Sequence, residues 1–428
     1  MVKFAIKKAF SILVSNDSKE DKYPIELVFS DRKTYRLLSD NPEITIIFKN
    51  RRAEWHIALY QGDGLLESYM NGDIDIVGDD ALRKLIRMAY QVTKGKYYNL
   101  SNPLQAIRRI ALDRKNNNTD WDQAKRNQVF HYGLPAEFFL LWLGETGGYS
   151  EGYWQTGKEN LDQAQHNKFN YICRKLKLKP GIKMVEVGSG YGYMSILAAE
   201  KYGADVVNYG LVEEQNRIMR QWVSERKLNH KIKIVEKDHR ELSNEPNTYD
   251  RYVSIGVYDM AGKDCHRDWI KGIAQSLKPG GIGLISTTGR MHSEPTDYFI
   301  TKYIFPGAYC PSLAETLQLM EDYELTVLDI ENLKYHYYLA INEWYERFIK
   351  SWDTIVKINP KLFNEQFKRK WSVYLLGSSE VFRTEHTNMS VYHIVFVKGK
   401  AQGFYSLTRD FLYPCVLPHE QSLRSNAS

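Results

Sequence analysis

The sequence predicts an α/β protein, a doubly wound and mostly parallel sheet, with a small α+β domain in front of it. Three observations carry that expectation. An apolar, β-branched run at 182–187 meets glycines at alternate positions, Gly188, Gly190 and Gly192, and the helix-forming segment 194–201 follows at once. Strand-like runs at 205–211, 232–235, 249–256 and 280–286 then alternate with helical segments, as in a parallel sheet wound by helices on both faces. With 428 residues, 43% of them apolar, the chain is too long for one ordinary core and apolar enough to fill two.

In the N-terminal part, Lys3, Lys7 and Lys8 surround Phe4, Ile6, Phe10 and Leu13. That pattern fits a basic amphipathic helix on a lipid surface, or an element packed on its own domain. Residues 25–29, 44–48 and 55–60 read as short strands of a small sheet. Residues 82–92 read as an amphipathic helix whose Arg83, Lys84 and Arg87 form a solvated face. The domain is expected to end near residue 95. Residues 96–125, rich in Lys, Arg, Asn and Asp, read as a linker whose Arg108, Arg109, Arg114 and Lys115 either stay in solvent or meet an anionic bilayer, at roughly 1 kcal/mol per residue close to the surface. The main domain is expected over 126–398, with helices at 137–143, 348–352 and 367–379 and a closing strand at 391–397. Residues 399–428 read as a tail, disordered over its last eight residues.

Glycines at the turn allow positive φ and close backbone approach, and a helix start offers unpaired N–H groups. The turn alone serves a nucleotide-type ligand or a purely structural strand-to-helix connection. In an open α/β sheet the ligand lies across the carboxyl ends of the strands, which places Gln215 and the Asp238-His239 pair to meet a ribose and base.

The formal charge of +6 biases the protein toward anionic partners, and by itself leaves nucleic acid and membrane both open. Cys173, Cys265, Cys310 and Cys415 form no CxxC pair, so neither a zinc site nor a disulfide framework is indicated. No apolar run approaches the ~20 residues of a membrane span. A cytoplasmic location is expected.

The segments Gly64-Leu65-Leu66-Glu67-Ser68-Tyr69-Met70-Asn71-Gly72, His131-Tyr132-Gly133-Leu134, Tyr149-Ser150-Glu151-Gly152-Tyr153-Trp154, the glycine turn, 249–262 and Lys302-Tyr303-Ile304-Phe305-Pro306-Gly307 together resemble the cyclopropane fatty acid synthase family of S-adenosylmethionine-dependent methyltransferases, over residues 60–398. The resemblance implies a Rossmann-like methyltransferase sheet with a helical cap at 298–306 and 312–320 shaping an acyl tunnel, a lid reached through 137–143, and an N-terminal domain that helps deliver phospholipid. It implies S-adenosylmethionine as cofactor, held by Tyr149, Ser150, Glu186, Gly188, Ser189, Gly190, Gly192, Leu211, Gln215, Asp238, His239 and Gly256, with Glu186 accepting from its ammonium group. The implied partners are a phospholipid acyl chain and the inner, anionic membrane face, with no nucleic acid; a homodimer is compatible with it.

In such a synthase an alkene attacks the sulfonium methyl, and the carbocation survives until a base removes a proton. Aromatic faces stabilise the cation and exclude water, for which Tyr149, Tyr153, Trp154, Tyr258 and Tyr337 are the candidates here. The family's base is bicarbonate, held by a cysteine, a Glu-His pair, a histidine and a tyrosine. This chain has Glu151 for the cysteine, Asp259-Met260 for Glu-His and Ser286 for the histidine; Tyr337 alone is kept. Two carboxylates oppose an anion in a low-dielectric pocket, so bicarbonate is not expected to bind. Three readings stay open. Glu151, oriented by Tyr337 and raised in pKa by Asp259, replaces bicarbonate as base. Glu151 and Asp259 instead pair with a cationic amine in a small-molecule N- or C-methyltransferase. Or catalysis is lost and a lipid- or cofactor-binding module remains. The N-terminal domain favours a lipid, and the intact glycine turn disfavours the loss.

Overall fold

The computed structural model describes residues 1–15, 21–93, 103–400 and 406–413. Two sheets organise it. The N-terminal one has strands β1 (Ile25–Val28), β2 (Thr34–Leu37), β3 (Ile44–Phe48) and β4 (Ile74–Val77) in the order β2-β1-β3-β4. Alternate residues Ile25, Leu27, Ile44 and Ile46 face a core shared with Ile6, Phe10 and Val14 of helix Val2–Val14, so this helix spends its apolar stripe on its own domain.

The large sheet has seven strands: β5 (Lys183–Val187), β6 (Asp205–Tyr209), β7 (Ile232–Val235), β8 (Tyr249–Ile255), β9 (Leu277–Arg290), β10 (Leu325–Asn332) and β11 (Met389–Lys398), in the order β10-β11-β9-β8-β5-β6-β7. Strands β5 to β9 pair in parallel, and β11 runs antiparallel between β9 and β10. Along β5 successive side chains enter opposite cores: Met184 packs with Ile172, Met194 and Leu197, and Val185 with Trp269, Ile270 and Ile273. Both faces are therefore covered by helices. Because β5 pairs with both β6 and β8, the winding reverses there, and a crevice opens at the strand ends beside β5.

The structure corrects three expectations. Residues 55–60 are not a strand but part of helix Arg51–Met70, started by the Asn50 side chain accepting from the Ala53 N–H at 2.9 Å, with Ala53 and Ile57 buried one turn apart. The short apolar run was ambiguous in period, and the cap decides it. Arg83 and Arg87, on helix Ala81–Thr93, are not a solvated face: both reach Glu380 of helix Glu365–Arg383. The 96–125 segment is not a solvated linker over its described residues. It contains helix Pro103–Lys115 and the start of helix Trp121–Tyr132; Asn118 is buried and donates to the backbone of Met260 and Gly307, and Arg108 pairs with Glu67. Of the two segments expected to form a cap, the first contains the π-helical turn Ile300–Ile304, whereas the second is helix Leu313–Asp322, which packs on the large sheet, with Met320 beside Tyr249, Trp269 and Ile270. Leu412 is buried against Tyr171, and the last eight residues lie outside the described ones.

Candidate active site

The crevice beside β5 is a cavity built by the glycine turn. Gly188, Gly190 and Gly192 all have left-handed φ, at 77°, 57° and 86°. A Cβ on Gly188 would lie 2.5 Å from the Val257 side chain and one on Gly192 2.4 Å from Met219, so these two pay for tight packing. A Cβ on Gly190 would meet nothing within 4 Å; it would project into the open space. Glu186, Gly188, Ser189, Gly190, Leu211, Gln215, Asp238, His239, Gly256, Tyr149 and Ser150 line the cavity. Gly192 does not: it caps helix Tyr193–Tyr202 from behind.

The polar groups suit a nucleoside joined to an amino acid. Glu186 is buried and accepts the Ser195 hydroxyl; burial pushes its carboxyl up to about 7, against the pull of Ser195 and the Lys168 charge. His239, neutral because burial lowers it to about 4, has an Nδ1 with no partner among the described residues. An unpaired nitrogen on a cavity wall is costly unless a ligand meets it. Asp238 is buried, but its carboxylate already takes the Arg240 backbone N–H at 3.0 Å and guanidinium at 2.6 and 2.9 Å. These residues could hold S-adenosylmethionine, Glu186 taking the ammonium and the Asp238-His239 turn meeting the base.

Beyond Ser150 the chain turns Glu151 inward, 1% exposed. Its Oε1 accepts from His393 Nε2 at 2.7 Å and from the Ser286 hydroxyl at 3.0 Å, while Oε2 has no hydrogen-bond partner among the described residues. Burial alone would raise this carboxyl, but His393, the Lys168 charge and Ser286 together hold it below the usual range. The expected elevation by Asp259 therefore falls the other way. Asp259, buried and taking the Thr287 hydroxyl at 3.3 Å, is the one raised, to about 7, by burial first, with the Glu151 charge adding to it.

Around the two carboxylates stands an aromatic wall. The Tyr149 and Tyr374 hydroxyls are 2.8 Å apart, and the Tyr337 ring lies 4.7 Å from Phe382 and 5.9 Å from Trp344. Burial, Tyr374 and the charges of Asp259 and Glu151 push the Tyr337 phenol well up, so it stays a neutral face. No hydrogen bond joins Tyr337 to Glu151 among the described residues; Ser286 and His393 do the orienting expected of it. Tyr258 is not on this wall either. Its ring stacks on His266 at 4.2 Å within the opposite core, next to Trp269. Tyr153 stacks on Tyr171 at 4.3 Å, and Trp154 donates to the Glu159 carbonyl at 2.8 Å.

Sequence reasoning missed His393, Lys168 and Lys175. Helix Leu161–Lys175 buries Leu161, Ala164, Gln165, Lys168, Ile172 and Lys175 on one stripe, which brings two lysines under the site. Lys168 donates to Ser150 Oγ at 2.7 Å and to Gln165 Oε1 at 2.6 Å. The available signals were a histidine inside the apolar run 391–397 and lysines on an apolar helical stripe.

The chain is similar to known proteins over most of its length. Residues 119–393 match the family model for mycolic acid cyclopropane synthetase, and residues 15–100 match a domain of unknown function. A probable fatty acid methyltransferase of Pseudomonas putida is 26% identical over 91% of this chain and 96% of its own. The cyclopropane-fatty-acyl-phospholipid synthase of Escherichia coli K12 is 29% identical over 79% of this chain and 84% of its own. A solved mycolic acid cyclopropane synthase in complex with SAH and CTAB superposes with a TM-score of 0.58 at 25% identity, covering 64% of this chain and 98% of its own. With well over half of its length in that match, the chain belongs to the mycolic acid cyclopropane synthetase family and is an S-adenosylmethionine-dependent methyltransferase of the cyclopropane-fatty-acyl-phospholipid synthase kind.

Proposed function

We propose that the protein transfers a methyl or methylene group to an unsaturated acyl chain of a membrane phospholipid, with Glu151 serving as base in place of bicarbonate. The carrying observation is a buried carboxyl fixed through Oε1 by two donors that hold it below the usual range, its Oε2 left without a donor among the described residues, beside an aromatic wall. S-adenosylmethionine supplies an electrophilic methyl. An alkene taking that methyl would form its new carbon–carbon bond as the bond to the sulfonium sulfur breaks and the neutral thioether leaves; the positive charge then on the other alkene carbon would be stabilised by the faces of Tyr149, Tyr337 and Trp344, which also keep water away. Glu151 Oε2 then removes a proton from the new methyl group, and the freed electron pair closes the ring. The Glu151 carboxylate already brings negative charge to the pocket and makes it unfavourable for bicarbonate. The relatives support a fatty substrate, and the N-terminal sheet domain joined to the cap supports a membrane-borne one.

Two measurements decide this. Lipids from cells carrying the protein should contain unsaturated chains heavier by one CH2; an unchanged lipid profile would move the reading to an amine substrate. In purified form, activity should survive bicarbonate depletion, and Glu151→Gln should lose about 10²-fold or more in rate while still binding S-adenosylmethionine. Turnover of Glu151→Gln at the parent rate, or loss of parent activity without bicarbonate, would refute Glu151 as base.

A further inference from the structure

We propose that His393 is a positioning residue for Glu151, locked in one tautomer by Lys175, so that a histidine on β11 shares the orienting task with Ser286 on β9. The proposal rests on Glu151 being the base. Its foundation is strand register: His393 lies directly opposite Ser286 in the antiparallel β9–β11 pair, and cross-strand partners project to the same face. Both side chains converge on Glu151 Oε1, at 2.7 and 3.0 Å.

The tautomer follows from donor chemistry. Lys175 Nζ stands 3.3 Å from His393 Nδ1, and an ammonium group can only donate. Nδ1 must therefore carry a lone pair, which places the ring proton on Nε2, aimed at the carboxylate. Lys175 is fixed in turn by Glu331 at 2.5 Å and by Asp329 at 4.0 Å, both on β10. The groups facing His393 are thus Glu151 from the loop, Ser286 from β9, Lys175 and the Tyr171 ring from helix Leu161–Lys175, and Glu331 from β10; His336 of helix Lys334–Lys350 senses its charge. Burial and the Lys175 charge oppose protonation of the imidazole more than Glu151 and Glu331 favour it. A neutral, oriented N–H is the result. It stabilises the ionised carboxylate without forming an ion pair that would quench it as a base, and it directs both donors to Oε1.

The test is the pH dependence of turnover on vesicles by the full-length enzyme, with S-adenosylmethionine binding measured alongside. His393→Leu keeps the bulk and removes the donor, so the acid limb should move up by about one pH unit or more, because Glu151 loses a hydrogen bond to its charged form. His393→Gln supplies a donor that does not titrate and should restore most of the parent profile. Lys175→Gln removes the positive charge beside Nδ1, so a histidine titration absent from the parent should appear in the profile and vanish in Lys175→Gln/His393→Gln. A parent-like acid limb in His393→Leu, or equal profiles in the Leu and Gln variants, overturns the proposal. Should His393→Leu fail to bind S-adenosylmethionine, the comparison of Lys175→Gln with its double variant decides instead, and absence of the new titration refutes the lock. Glu151→Gln separates the two ideas: activity there removes the base itself, whereas an inactive Glu151→Gln beside a parent-like His393→Leu removes only the role of His393.

Discussion

Glu186 binds a cation only in its ionised form, yet burial raises its carboxyl to about 7. At lower pH a proton must leave before the carboxylate can accept from the ammonium group of S-adenosylmethionine. Affinity should therefore fall as pH drops through 7, approaching tenfold per unit, and level off above it until the ligand's own amine, near 7.7–8.0 in a typical α-amino group, begins to lose its charge. Calorimetry should show dissociation constants roughly five- to tenfold larger at about pH 6 than at about pH 7.5, with a proton released on binding. Glu186→Gln should bind more weakly and lose this dependence; a parent Kd that is flat across the range would count against Glu186 as the ammonium site. At this scale the sequence was informative where chemistry is local. The glycine turn and Glu186 before it are read directly from neighbours, and Glu151 stands out only through the family resemblance, at the position of the family's cysteine. His393 was not legible, because its role comes from lying opposite Ser286 across 107 positions of chain, a register fixed by the whole β9–β11 pairing. Tyr258 misled for the same reason: it follows β8 as expected, but its backbone turn sends the ring into the opposite core.

Among the elements, helix Glu365–Arg383 carries the largest unmet surprise. Glu380, 1% exposed, receives Arg87 at 2.9 Å, Arg83 at 3.4 Å and Arg383 at 2.6 Å, and so ties the N-terminal helix Ala81–Thr93 to the large domain. The pairing is closed by Arg369 to Asp75 at 2.8 Å on the same two units. Removing one partner of a buried ion pair leaves the other charge uncompensated, at a cost of about 3–5 kcal/mol. Glu380→Ala should destabilise the protein by that order in chemical denaturation and expose helix Ala81–Thr93 to proteolysis, while S-adenosylmethionine binding persists in the remaining folded fraction. An unchanged denaturation midpoint would mean that the arginines find water instead. Sequence periodicity identified helix Ala81–Thr93 correctly but assigned its arginines to solvent, since the carboxylate that buries them lies some 290 positions away. Helix Arg51–Met70 was missed in its first turns because a short apolar run fits two periods, and only the Asn50 cap and the burial of Ala53 with Ile57 separate them.

For the molecule as a whole, the N-terminal domain, the connecting helix and the cap meet at Glu67. That carboxylate takes Arg108 at 2.9 Å, Lys302 at 2.7 Å and the Tyr303 hydroxyl at 2.8 Å, and these groups hold it below the usual range although burial opposes them. One consequence is an inverted helix. In Pro103–Lys115 the arginines point inward, Arg108 to Glu67 and Arg109 to the Thr296 carbonyl at 2.7 Å, whereas Ile107 and Ile110 stand 64% and 53% exposed beside the exposed Arg114 and Lys115. Neighbouring isoleucines turned out to water next to basic side chains are the basis for expecting contact with an anionic bilayer at this helix. Burying each isoleucine would contribute about 1.5–3 kcal/mol and each basic residue about 1 kcal/mol, enough for reversible association and too little for a permanent anchor. No helix among the described residues is long and apolar enough to cross a membrane. Vesicle flotation should therefore find the parent bound more strongly to anionic than to neutral vesicles, with binding weakened by salt as exposed charges are screened beyond about 10 Å at 0.1 M ionic strength. Ile107→Asp/Ile110→Asp alters only outward side chains, so it should keep S-adenosylmethionine affinity and thermal stability but lose roughly tenfold or more in vesicle binding, with turnover on vesicles falling in proportion. Equal flotation of parent and double variant would refute a membrane contact at this helix.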